Sequence, residues 1–239
     1  MPAYNEVGTI VKVLAEIKGH PNVREIIVVD DGSTDGTADA ARSFAAENTD
    51  ANISVIQLEK NGGKADAMEV GVQASTSDVI LFLDADVYGF TPQKLSAIMD
   101  PVLDFRYEMF VAVKARRTYI LNKLLRFTPI IGGERALTKR LWNEIPKKHK
   151  KNFMIEIAMN YAAKQTKRGM GMMRLYGMHH VTKEKKYGFW KGFYGRIIMS
   201  LEVFGIGMYL YVFVTTASVL KSLFGALGFG KAKRAIDEA

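Results

Sequence analysis

Two apolar runs that each end in acid constrain this chain most. Arg24-Glu25-Ile26-Ile27-Val28-Val29 leads into Asp30-Asp31-Gly32-Ser33, and Asp78-Val79-Ile80-Leu81-Phe82-Leu83 leads into Asp84-Ala85-Asp86. Continuous apolar runs with β-branched residues predict parallel strands covered on both faces, and ligands of open α/β sheets bind outside the carboxyl ends of such strands. Both acid clusters therefore belong to one crevice. Carboxylates gathered there would repel a diphosphate unless a divalent cation lay between them, and hard oxygen ligands suit Mg2+ or Mn2+.

Helical periodicity alternates with these strands. Val7, Ile10, Val13, Leu14 and Ile17 predict a helix over residues 5–18, and Ala38, Ala41 and Ala45 predict another over 34–47. A strand at 53–58, a helix at 64–74, a helix at 92–103, a strand at 109–115, helices at 137–145 and 152–164 and a strand at 171–181 follow. The pattern predicts an α/β fold, a doubly wound, mostly parallel sheet flanked by helices, with a C-terminal apolar helical tail. No apolar strand precedes Met1-Pro2-Ala3-Tyr4-Asn5-Glu6, whereas such a sheet usually begins with a central one. A start truncated relative to the natural gene product is expected, the alternative being a sheet that lacks a strand.

With 239 residues, 48% of them hydrophobic, the chain can bury the core of one α/β domain with an appendage. The absence of cysteine excludes disulfides and thiolate metal sites and is compatible with a reducing cytosol. The net charge of +8 is concentrated late, in residues 147–151, 164–168 and 183–191, just ahead of the uncharged stretch 203–220. Basic residues beside an apolar segment favour an anionic membrane surface over nucleic acid. A single span, an in-plane pair or re-entrant hairpin, and a soluble core helix compete for that stretch, the membrane reading being preferred. The expected organisation is a catalytic domain at 1–185 and a basic, membrane-associated segment at 186–239, with the catalytic part on the cytoplasmic side. No signal peptide is visible ahead of the first polar motif.

Four segments then carry a resemblance: Pro2-Ala3-Tyr4-Asn5-Glu6, the run from Val29 through Asp30-Asp31-Gly32-Ser33-Thr34-Asp35-Gly36, Asn61-Gly62-Gly63-Lys64-Ala65-Asp66-Ala67, and Leu83-Asp84-Ala85-Asp86. In order and spacing the chain resembles the family 2 glycosyltransferases with a GT-A fold. It looks most like the polyprenyl-phosphate glycosyltransferases, with dolichyl-phosphate mannose synthase among them. It is also similar to glucosyl-3-phosphoglycerate synthases in its Gly-Gly-Lys segment and late histidine pair.

The resemblance implies a wall around base and ribose from Pro2, Ala3, Tyr4 and Glu6, with Asp31 bonding the nucleoside. A carboxylate at a strand end can accept from a base imino N–H or from ribose hydroxyls. Asp30 reads instead as orienting the following turn, and Asp-Asp-Gly-Ser taken alone reads equally as an Asx-turn and helix cap. Lys64, at a helix start behind two glycines, can receive phosphate or a sugar hydroxyl, or be merely solvated. Asp84, Ala85 and Asp86 would meet the sugar nucleotide, with Asp86 a direct metal ligand and Asp84 facing ribose or a metal-bound water. Tyr88 stands where dolichyl-phosphate mannose synthases usually carry glutamine and is a poor ligand. His179 or His180 is therefore a candidate to complete the metal shell, although surface solvation explains the pair as well. On the acceptor side the resemblance implies Glu156 and continues through Gly132, Gly133 and Arg135. Charge placement makes Arg135, Lys183, Lys185 and Lys186 candidate contacts for an acceptor phosphate. Glu156 would act as general base, orient the sugar, or pair with a basic residue.

These residues lead to an expected function: inverting, Mg2+- or Mn2+-dependent transfer of a sugar from a nucleotide-diphosphate sugar to a polyprenyl phosphate. Transfer to a soluble phosphorylated acceptor is one alternative, and a non-catalytic nucleotide-binding scaffold another. A nucleotidyltransferase fits less well, because no glycine-rich phosphate loop adjoins a first strand.

Overall fold

Residues 1–114, 132–151 and 154–180 are described by the computed structural model. Pro2–Ala3 forms a strand, β1, so the place the sequence left without a first strand holds a two-residue one. It pairs in parallel with β2 (Ile26–Asp30), Ala3 opposite Asp30, and β2 pairs in parallel with β3 (Ile53–Gln57). Helices α1 (Ile10–Ile17), α2 (Thr37–Glu47) and α3 (Lys64–Ala74) supply the connections. The second group of strands lies in the order β4 (Val79–Phe82), β7 (Arg135–Thr138), β6 (Met109–Lys114), β8 (Met170–Leu175). There β6 and β8 are parallel, whereas β7 runs antiparallel to both its neighbours. A short antiparallel pair, β5 (Val87–Tyr88) with β9 (His179–His180), completes the strands among the described residues.

Alternation along β4, β6 and β7 feeds two apolar layers, which is why those runs read as apolar on both faces. Phe82, Met109, Val111 and Leu137 join Met68, Val72 and Trp142 in one core. Leu83, Ala112 and Ala136 join the α1 residues Val13 and Leu14 and the residues Leu95 and Ile98 of α4 (Pro92–Leu103) in the other. Buried Trp142, on α5 (Lys139–Glu144), meets Phe82 with ring centroids 5.2 Å apart. Helix α6 (Met154–Gln165) closes that layer through Ile155 and Met159.

Several boundaries differ from expectation, among them that of the second helix, which starts at Thr37 instead of residue 34. The first helix starts at Ile10 instead of residue 5, because residues ahead of it are held by the loop after β2 and Asn5 has φ 54°. Leu137 and Thr138 belong to β7, so the helix expected over 137–145 begins only at Lys139. The strand expected over 171–181 is two strands, β8 and β9, separated by a turn. Lys183, Lys185, Lys186, the proposed boundary at 185 and the apolar stretch 203–220 lie outside the described residues. Among the described residues no helix is long and apolar enough to cross a membrane.

Candidate active site

At the end of β2 the two aspartates divide their work. Asp30 turns inward to accept from Ser33 N–H at 3.2 Å and from the Ser33 hydroxyl, as its turn-orienting reading predicts. Asp31, 3% exposed, accepts from the backbone N–H groups of Gly62 (2.8 Å) and Gly63 (2.9 Å). Gly32 has φ +71°, and a Cβ there would sit 2.8 Å from the backbone nitrogen of Asn61. Only glycine lets the two loops approach so closely.

The first motif is stitched to the loop after β2. Asn5 N–H donates to Ser33 Oγ (2.8 Å), Thr34 N–H donates to Asn5 Oδ1 (3.0 Å), Glu6 N–H donates to Thr37 Oγ1 (2.7 Å) and Val7 N–H donates to Asp35 (3.1 Å). Pro2, Ala3, Tyr4 and Glu6 are thereby fixed beside Asp30 and Asp31, with Tyr4 41% exposed on the surface.

From Gly63 the chain enters α3, and Lys64 carries the cluster across to β4. Its Nζ lies 2.8 Å from Asp84 Oδ1 and 3.1 Å from Glu156 Oε1. Burial disfavours the ammonium charge, but Asp84 and Glu156 outweigh it and raise the Lys64 pKa above the ordinary lysine value. Behind Glu156 stands fully buried Arg135. Its Nε donates to Gly132 O at 2.9 Å, its Nη1 to Asn160 Oδ1 at 3.3 Å and to Glu156 O at 3.4 Å, and its Nη2 lies 3.7 Å from Glu156 Oε2. Burial lowers the Arg135 pKa against the opposing charges of Glu156, Asp84 and Glu134. Gly133 backs Asp84 so closely that a Cβ would fall 1.9 Å from Asp84 Oδ2.

Asp84 and Asp86 flank buried Ala85 in the turn closed by Val87 N–H to Asp84 O at 3.3 Å. Strand β9 returns beside this turn, His180 opposite Val87 and His179 opposite Tyr88. The His179 ring stacks on Tyr88 (centroids 5.3 Å, 21°), and Lys12 Nζ caps the same tyrosine ring at 3.7 Å. Carboxylate oxygens are the ligand type that suits Mg2+ or Mn2+, and Asp84 and Asp86 are the carboxylates of this turn. No group of three potential ligands is assembled among the described residues.

Asp31, Lys64, Asp84, Glu156, Gly132, Gly133 and Arg135 are thus one connected array, whereas Lys183 lies outside the described residues. Sequence reasoning missed Asn160, which holds Arg135, and the Asn5 and Asp35 clasps. Asn160 is signalled by its i+4 spacing from Glu156, which puts both on one helix face.

The model of the family described as Glycosyl transferase family 2 matches residues 1–156. The succinoglycan biosynthesis protein ExoU of Rhizobium meliloti is 36% identical over 97 residues, 41% of this chain and 28% of that protein. A dolichyl-phosphate beta-glucosyltransferase of Dictyostelium discoideum is 34% identical over 96 residues, covering 36% and 29% of the two chains. The dodecaprenyl-phosphate galacturonate synthase of Rhizobium johnstonii is 34% identical over 91 residues, covering 36% and 27%. The matches span under a third of the length of these three relatives. Among solved structures, glucosyl-3-phosphoglycerate synthase from Mycobacterium tuberculosis in complex with Mn2+, uridine-diphosphate-glucose and phosphoglyceric acid superposes with a TM-score of 0.69. The identity is 21%, over 87% of this chain and 77% of that one.

Proposed function

Since the chain belongs to glycosyl transferase family 2, we propose that it is a sugar-transferring enzyme that moves a sugar from a nucleotide-diphosphate donor to a polyprenyl phosphate with inversion at the anomeric carbon. The observation that carries this reading is the unbroken polar array from Asp31 through Lys64 and Asp84 to Glu156 and Arg135 at the ends of β2 and β4. Pro2, Ala3, Tyr4, Glu6 and Asp31 receive the nucleoside. Lys64 and the Asp84-Ala85-Asp86 turn face the diphosphate and sugar.

In the reaction an acceptor oxygen forms a bond to the anomeric carbon as the bond from that carbon to the β-phosphate oxygen breaks. The nucleoside diphosphate leaves with the electron pair. A divalent cation held by Asp84 and Asp86, with His179 or His180, would supply charge neutralisation at the leaving group. Lys64 supplies part of the same stabilisation from the protein itself. An acceptor phosphate is already ionised and needs no base, so Glu156 orients the sugar or acceptor, fixed in turn by Arg135 and, through it, Asn160. Arg135 itself is enclosed and acts as a positioning residue.

The lipid acceptor is supported by the late concentration of positive charge beside an apolar stretch and by the acceptors named in two of the relatives. It carries with it a membrane-associated location with the catalytic part on the cytoplasmic side. Incubating the protein with sugar nucleotides, Mn2+ and either polyprenyl phosphate or small phosphorylated acids tests it. Transfer to the lipid phosphate is expected; transfer to soluble acceptors alone would replace it with the soluble-acceptor reading.

A further inference from the structure

Helix α1 is tied at both ends to parts assigned to the donor. At its start Thr9 N–H and Ile10 N–H donate to Glu6 O at 3.0 and 2.9 Å, so the helix continues directly from the nucleoside wall. Near its other end Glu16 reaches the strand that leaves the Asp84-Ala85-Asp86 turn. Its Oε2 accepts from Gly89 N–H at 2.6 Å and from Phe90 N–H at 2.9 Å, the two amides directly behind β5. Lys12, four residues earlier on the same helix face, holds its Nζ 3.7 Å from the centre of the Tyr88 ring. From α4, Lys94 donates to Gly89 O at 2.5 Å and to Gly177 O at 3.2 Å, which joins the end of β5 to the turn between β8 and β9. Gly89 has φ +98°, and a Cβ there would lie 2.6 Å from Gly177 O, so the two turns meet backbone to backbone beside the lysine.

We propose that Glu16 and Lys94 are positioning residues for the donor: with α1 as a rigid bar, they fix the Asp84-Ala85-Asp86 turn relative to the wall that receives the nucleoside. The inference rests on the donor reading given above. Apolar packing is non-directional, so burial of Val87 and Phe90 presses the strand against the core without fixing where it lies along α1. Hydrogen bonds to a carboxylate and an ammonium are short and directional, and they fix it. A nucleoside diphosphate engages both the wall and the turn, so the distance between them enters its affinity. A nucleoside monophosphate without a cation engages the wall alone.

Titrating the full chain and its Glu16→Gln, Lys94→Met and Lys94→Arg variants tests this. The probes are UDP or GDP with Mn2+, whichever the unaltered protein binds, and the matching monophosphate in EDTA. Glu16→Gln and Lys94→Met are expected to weaken the diphosphate about tenfold and to leave monophosphate affinity within about twofold, as loss of an outer support does. Lys94→Arg keeps donors for both carbonyls and should bind the diphosphate nearly as the unaltered chain does. Equal loss for both ligands, or loss for neither, would overturn the role and leave the clasps as ordinary stabilising contacts. A Lys94→Arg protein no better than Lys94→Met would do the same. If only one of Glu16→Gln and Lys94→Met folds, it alone decides; failure of both to fold would overturn the role by making the clasps part of the fold itself. An unaltered protein that binds neither diphosphate would instead remove the donor reading, and the positioning role with it.

Discussion

Asp84 has almost no freedom, because Gly133 lies against one carboxylate oxygen and Lys64 holds the other. In Gly133→Ala the new methyl would overlap Asp84, and the carboxylate must swing out of line. A displacement of about 1 Å at a reacting centre costs on the order of 100-fold, so kcat/KM for sugar transfer should fall by about that factor in steady-state assays. Lys64 tests the charge balance. Its folded pKa is raised, so the stability it contributes is fully present below its ordinary value of 10.5 and is lost only as pH rises through the higher folded value. Lys64→Met should therefore cost about 2 kcal/mol, discounted for a side chain 30% exposed, and cost the same in urea unfolding at pH 6 and pH 9. A loss that shrinks between those pH values would show that the ammonium is not held as described. The strand-end acids were legible in the sequence because carboxylates after apolar runs have few uses. The clasping role of Arg135 was not, since nothing in Gly-Gly-Glu-Arg shows that the guanidinium turns inward.

Glu108 joins three elements at the far side of the sheet. Fully buried, it is bonded by the Thr138 hydroxyl at the end of β7, by Arg140 of α5 at 2.9 Å and by Arg168 beyond α6 at 2.9 Å. Burial raises its pKa, but the bonds from Thr138 and Arg140 and the charges of Arg168 and Arg140 outweigh it, leaving the carboxyl below its ordinary 4.5. A depressed folded pKa means stability present above the unfolded value and lost as pH falls through the folded one. Glu108→Gln should lower the melting temperature at pH 7 and flatten its decline below pH 4.5, measured by thermal melts across pH. A parallel curve offset downward would instead indicate lost packing alone. The elements that the sequence identified well are long and periodic, such as α2, α3 and α4. Those it missed are short. The pattern of β7, Arg-Ala-Leu-Thr, resembles a helix start more than a strand, and only its place between β4 and β6 makes it extended. β5 and β9 are two residues each, below what any periodicity can reveal.

Over the whole molecule the net charge is +8, which draws anions toward the protein, yet the crevice itself sets four carboxylates, Asp31, Asp84, Asp86 and Glu156, against Lys64 and Arg135. A diphosphate steered to the surface by the long-range field would meet a local excess of like charge on arrival. The donor should therefore stabilise the fold only when a divalent cation accompanies it. In thermal melts, a sugar nucleotide of the right base at about 100 times its Kd contributes about 2.7 kcal/mol to a native state that alone binds it. For a chain of this size that corresponds to roughly 5–10 °C. The rise should be present with Mn2+ or Mg2+, vanish in EDTA, and be lost in Asp86→Asn while the unliganded melting temperature stays within a few degrees. An equal rise with and without the cation would mean that Lys64 alone balances the diphosphate, and the acids at the end of β4 would then have to be assigned to the sugar instead.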